Sequence, residues 1–375
     1  MLLSLPPMYL LSIGDSVSLA KSYSHQKYSL SIIDTVYSIA LLLFFLGSGL
    51  SLFLENFLKS FGLPHYLLIA VYLLIISFFY YLLNLPLNFY TSYILEHKFN
   101  LSHQKPGAWV ADQLKSGVLA YILSLVLILS FYWILGRFNQ WWLVTSIFWI
   151  VFSVLLAKLT PVLIIPLFFK YKKLDDEVLR QRIFNLASKM QVKLMEVFEI
   201  DFSKKTLKAN AAFTGMGKTK RVLLADTLKD KYTYDEVEVI LAHEFAHYQL
   251  KHMIKLIAVN SLVTLGLFYL IFKTSVYTLG IFKLDSLLQL SSLPLVFLYF
   301  MLFGIIMQPL EAYFSRRFEK EADGLALKVT GDKEAFISLM EKLAAQNLAD
   351  RNPHPIIKFF FFTHPPIDER IKIAK

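Results

Sequence analysis

The sequence predicts a mainly α, polytopic α-helical membrane protein of six to seven spans, with polar segments gathered on one side of the bilayer. Three observations carry that expectation. Of 375 residues, 56% are hydrophobic and only 18% charged, whereas soluble globular chains sit near about 45–50% and about 25%. Six stretches are free of Asp, Glu, Lys and Arg over roughly the 20 residues that a bilayer span requires. Lys and Arg in the short connections are unequally divided between the two sides.

The spans fall at 35–54, within 60–95, at 116–136, at 138–157 and on past Lys158, at 256–272 and at 286–310. The apolar run at 1–11 is interrupted by Pro6 and Pro7 and is too short to cross. It lacks the basic start and small-residue cleavage site of a signal peptide. One polar block, 171–255, follows the fourth span and another, 311–375, follows the sixth. Two spans separate them, so both emerge on the same side. Connections on that side hold Lys21, Lys27, Lys98, Lys105, Lys115, Lys170, Lys172 and Lys173, against Lys59, Arg137, Lys273 and Lys283 opposite. Basic excess marks the cytoplasmic face. The expected division is therefore 1–170 as an N-terminal membrane region, 171–255 and 311–375 as two halves of one domain, and 256–310 as a helix pair between them.

Within the first polar block, 175–191 has helical amphipathicity and 192–200 alternates as a strand does. Residues 209–213 and 221–225 read as two short strands joined through Gly215-Met216-Gly217. Thr233 and Glu236 form the T-x-x-E of a capping box, which starts a helix.

That helix carries HEFAH at 243–247. Histidines four apart share a helical face and converge on one point, while Glu244 lies about 100° around, within reach of a water held there. This is zinc-binding geometry. Chance alone yields H-E-x-x-H in about one chain in a hundred of this composition, and the helical setting makes the motif more specific. With no Cys in the chain, thiolate sites and cysteine nucleophiles are excluded, so a metal must bind through His, Asp or Glu. A catalytic zinc takes a third protein ligand and keeps one position open. In SRRFEKEADG at 315–324, Glu319 and Asp323 lie on one helical face, and either could be that ligand while the other supports a histidine from behind.

Together, HEFAH at 243–247, SRRFEKEAD at 315–323, NAAFTGMGKTKRVLLADTL at 210–228, THPPIDERI at 363–371 and LEHKFNLSHQKPGAWVADQLK at 95–115 resemble the type I CaaX prenyl protease family. Its members are integral-membrane zinc endopeptidases of the gluzincin type, and the likeness covers nearly the whole chain. The resemblance implies a zincin-like cytoplasmic catalytic domain with a small β-hairpin or sheet, and one Zn2+ per chain on His243, His247 and Glu319. It implies Glu244 as general base and Asp323 behind a ligand. Family members usually have seven spans, one more than the charge-free stretches supply here.

His364 in THPP lies on the side of the zinc helix, where an imidazole held by the proline pair could stabilise an oxyanion. Arg370 could brace the same region. Asn210, Ala211, Ala212 and Phe213 form the strand edge expected to hold an extended peptide beside the metal. The substrate expected is a peptide or protein, by resemblance an isoprenylated one, cut at the cytoplasmic membrane face; a quality-control protease without a prenyl requirement is the alternative. A metal-gated transporter would place polar groups near the bilayer midplane, and Lys158 and Asn260 are the main candidates. Membrane lipids are expected partners, nucleic acid is not, and the chain is expected to be a monomer. The membrane implied is the bacterial inner membrane or the endoplasmic reticulum, according to source.

Overall fold

A computed structural model describes residues 13–215 and 220–375. The apolar run at 1–11, and Met216 and Gly217 of the expected turn, lie outside the described residues. Gly215 is described, with φ 96°.

The membrane part consists of long helices. The first, α1 (Ile13–Gly47), turns back through Ser48 and Gly49 into α2 (Leu50–Lys59). Gly49 has φ 76°, a left-handed conformation that glycine adopts without a Cβ penalty. The expected span 35–54 straddles this turn, so its boundaries are corrected: the helix crosses with residues before Gly47. Counting charge-free residues began after Asp34 and ran on through the apolar start of α2, passing over a break made by backbone conformation. Next comes α3 (His65–Phe89), which continues through a π turn, Tyr90–Ile94, into α4 (Leu95–Lys98). Pro86 inside α3 lacks an N–H and disturbs the preceding turn. Pro106 opens α5 (Pro106–Leu135), where its missing donor costs nothing. Then α6 (Trp141–Leu159) runs through a second π turn, Thr160–Ile164, into α7 (Ile165–Phe168).

The polar block opens with β1 (Tyr171–Lys173), α8 (Glu177–Lys189), β2 (Glu196–Ile200), β3 (Ala211–Thr214) and β4 (Arg221–Ala225). Asp176 caps α8 by accepting from the Leu179 N–H, an N-cap bond typically worth about 1 kcal/mol. The sheet order is β1-β2-β4-β3, with β2 parallel to β4 and the outer pairs antiparallel. The two expected strands do pair, Ala212 opposite Leu223, inside this larger mixed sheet. After the sheet come α9 (Tyr234–Gln249), α10 (His252–Ile281) and α11 (Leu293–Thr330), then α12 (Lys333–Gln346), α13 (Pro355–Phe361) and α14 (Ile367–Ala374).

Among the described residues, six helices are long and apolar enough to cross a membrane. Large apolar side chains such as Phe78, Val118, Val151, Leu262 and Val276 stay exposed along them, which suits surfaces facing hydrocarbon. Two main cores follow. Leu46, Tyr72, Phe131, Phe268, Ile271 and Leu293 are among those packing the spans together. Ile183, Val197, Val222, Leu241, Phe245 and Phe336 are among those binding sheet and helices outside them.

Candidate metal centre

The centre is built where α9 crosses the far end of α11. Thr233 caps α9, accepting from the Glu236 N–H while the Glu236 carboxylate accepts from the Thr233 N–H. Buried Glu236 is held further by Ser338 and Lys342 of α12. One face of α9 buries Leu241 and Phe245 completely. Ala242 and Ala246 of α9 and Ala322 and Ala326 of α11 are also at 0% exposure. These small side chains let the helices approach closely, which brings Glu319 and Asp323 to the histidines.

His243 Nε2 and His247 Nε2 lie 3.0 Å apart. Glu319 Oε2 is 3.2 Å from His243 Nε2, and its Oε1 is 3.2 Å from His247 Nε2. Metal–ligand bonds of about 2.0–2.1 Å in a tetrahedron give ligand–ligand edges of about 3.3–3.4 Å, so the three groups are spaced to hold a divalent cation. Among the described residues, buried Glu319 Oε2 has no hydrogen-bond partner. Two imidazole nitrogens facing one another and an orphaned carboxylate oxygen form an arrangement that a cation satisfies. The electrostatics agree: burial pulls the His243 imidazole down, yet the adjacent Asp323 and Glu319 carboxylates outweigh this and raise it to about 9. The cavity attracts positive charge.

His243 Nδ1 is 2.9 Å from Asp323 Oδ1. Arg370 donates to both Asp323 oxygens at 2.8 and 2.6 Å, so its guanidinium braces that carboxylate. The geometry separates the two carboxylates that the sequence left open, Glu319 facing both Nε2 atoms and Asp323 the back of His243.

A cleft of about 370 Å³ opens over these groups, lined by Asn210, Ala211, His243, Glu244, His364 and Arg370 among others. Burial pushes the Glu244 carboxyl up, while His243 and His247 pull against it. The Phe213 backbone N–H also acts on this carboxylate. The His364 side chain is 60% exposed, with Nε2 3.5 Å from Glu319 Oε1; Pro365 and Pro366 behind it are buried. Among the described residues, β3 is the last strand of the sheet and has one edge without a strand partner. Its Phe213 ring packs on Phe245 and Tyr248 of α9, which ties this edge to the HEFAH helix.

Two residues near the centre escape sequence reading. His252 Nδ1 lies 2.9 Å from His247 Nδ1, and its Nε2 lies 3.2 Å from Glu321 Oε2. On a continuous helix a residue five positions after His247 would lie about 140° away. The left-handed Lys251, φ 56°, breaks the helix and returns His252 to the histidine. Neither spacing nor composition signals that break. Glu321, two positions on from Glu319 and off its helical face, reaches the centre through His252.

A helix-borne H-E-x-x-H, a carboxylate delivered by a second helix and a set of membrane-spanning helices together define an integral-membrane metallopeptidase. The chain belongs to peptidase family M48, whose model matches residues 173–375. A model described as the CAAX prenyl protease N-terminal region, five membrane helices, matches residues 14–170. The chain is 30% identical to an uncharacterized metalloprotease, YhfN, of Bacillus subtilis, over 96% of this chain and 85% of the relative. It is also 30% identical to CAAX prenyl protease 1 of Saccharomyces cerevisiae, over 98% and 87% of the two chains. The crystal structure of S. mikatae Ste24p superposes with a TM-score of 0.86 at 27% identity, covering 99% of this chain and 92% of that one. The protein is therefore a membrane metalloendopeptidase acting on peptides or proteins.

Proposed function

We propose that the protein is a zinc endopeptidase that trims the C-terminal tripeptide from isoprenylated CaaX segments at the cytoplasmic membrane face. The observation that carries the chemistry is the convergence of His243, His247 and Glu319, with His243 and Glu244 lining the cleft that opens over them. Likeness to CAAX prenyl protease 1 of yeast supports the substrate class. The excess of Lys on the domain's side supports the cytoplasmic orientation.

His243, His247 and Glu319 would hold one zinc ion, which when bound would acidify water and polarise a carbonyl. Glu244 takes a proton from the attacking water as the new C–O bond forms. The same carboxyl passes that proton to the departing amine as the C–N bond breaks. His364 donates a hydrogen bond to the carbonyl oxygen as it gains negative charge. Asn210, Ala211, Ala212 and Phe213 hold the substrate extended along the edge of β3 through backbone hydrogen bonds. Asp323, locked by Arg370, keeps the His243 Nδ1 protonated and its Nε2 free. The working arrangement is a monomer in contact with lipid: segment 1–170 embeds the chain, 171–255 and 311–375 form the catalytic domain, and 256–310 joins them through the membrane.

The test compares cleavage of a farnesylated CaaX peptide with that of its unprenylated twin. Faster cleavage of the lipidated peptide is expected; equal rates would assign the enzyme to general proteolysis instead.

A further inference from the structure

We propose that His252 and Glu321 form a second positioning relay, behind His247, that fixes its tautomer and raises metal affinity. This rests on the assignment of the metal to His247.

The relay follows from proton accounting. An imidazole that gives its Nε2 lone pair to a metal while neutral must carry its proton on Nδ1. His247 Nδ1 therefore donates across the 2.9 Å contact, and His252 Nδ1 accepts. His252 then carries its own proton on Nε2, which points at Glu321 Oε2 3.2 Å away. Only one pattern of donors satisfies all four positions.

His252 is 1% exposed and its ring stacks on Phe318 with centroids 4.6 Å apart. Buried ring nitrogens need partners, and the contacts to His247 and Glu321 supply one for each. Glu321 is held at the outer end by Arg317 Nε at 3.1 Å and Lys255 Nζ at 3.6 Å. The two histidines are thus supported unequally. His243 has a fully buried carboxylate directly behind it, whereas His247 has a neutral ring between itself and a carboxylate shared with two cations. The break between α9 and α10 brings His247, in the last turn of α9, to His252, at the start of α10, and α11 supplies Glu321.

The experiment measures zinc affinity by chelator competition in the metal-free, detergent-purified full chain, with the absorption spectrum of the cobalt-substituted protein as a second readout. His252→Phe keeps the stacked shape and removes the acceptor; it should weaken zinc binding about 10–100-fold, as loss of a group behind a ligand does. His252→Asn, whose Oδ1 can stand near the Nδ1 position, should recover most of that loss. Glu321→Ala lies at a partly exposed position and should weaken binding about 10-fold; it decides the matter if His252→Phe does not fold. Both His252→Phe and Glu321→Ala should shift the cobalt spectrum. Unchanged affinity and spectrum in Glu321→Ala, or in a folded His252→Phe, overturn the relay while leaving the metal assignment intact. Absence of zinc binding by the unsubstituted protein overturns that assignment and the relay with it.

Discussion

Glu244 lines the cleft while Glu319 faces both histidines, and the two carboxylates have separable tasks. Glu244→Gln should keep zinc at one equivalent by metal analysis yet slow peptide cleavage by about 10²–10⁴-fold, the usual share of a general base. Glu319→Ala should lose both metal and activity. His364→Ala should retain metal and lower kcat by up to about 10²-fold, since an oxyanion donor is removed while the other groups stay. The sequence made these residues legible because a helix converts a four-residue spacing into a shared face, as with His243 and His247 or Glu319 and Asp323. It could not choose between Glu319 and Asp323, because a shared face does not say which end of an imidazole each carboxylate meets. His252 was illegible for a different reason: its approach depends on the left-handed Lys251, a backbone choice that no side-chain pattern announces.

The elements bring these residues within reach of one another through close packing. Ala322 and Ala326 of α11, fully buried against α9, set the distance from Glu319 to the two imidazoles. Ala322→Leu should destabilise the protein by about 1–3 kcal/mol through overpacking and weaken metal binding as well, measured by thermal melting with and without zinc. A second prediction concerns α8 and β2. The Arg180 hydrogen bonds hold the buried Glu196 carboxyl at about 2, below its ordinary 4.5. A depressed carboxyl contributes stability in full above its unfolded value and loses it as pH falls towards the folded one. Melting temperature should therefore drop between about pH 4.5 and 2, and Glu196→Gln should be less stable at pH 7 and flatter across that window. Helices were well legible because apolar length and caps are local properties, α9 and its capping box being the clearest case. The turn at Gly49 was missed because it lies inside an uncharged run. The pairing of β1 and of parallel β4 with β2 joins segments distant in sequence, which no local pattern encodes.

For the whole molecule, the membrane helices return two remote segments of chain to one surface, so that 243–247 and 319 meet although α10 and the apolar part of α11 lie between them. This much followed from counting spans, since two crossings restore the side. The face itself can be read directly in a chain without natural cysteine. Lys229→Cys, exposed in the catalytic domain, should resist an impermeant maleimide in intact cells, and Ser60→Cys, exposed beyond α2, should react; the reverse pattern would invert the orientation. The central claim is that one zinc ion joins these two segments. X-ray anomalous scattering at the zinc edge, from crystals of the detergent-purified protein, tests it most directly. A single peak about 2.0–2.2 Å from His243 Nε2, His247 Nε2 and a Glu319 oxygen is expected. A peak away from these atoms, or none in zinc-replete crystals, would contradict it.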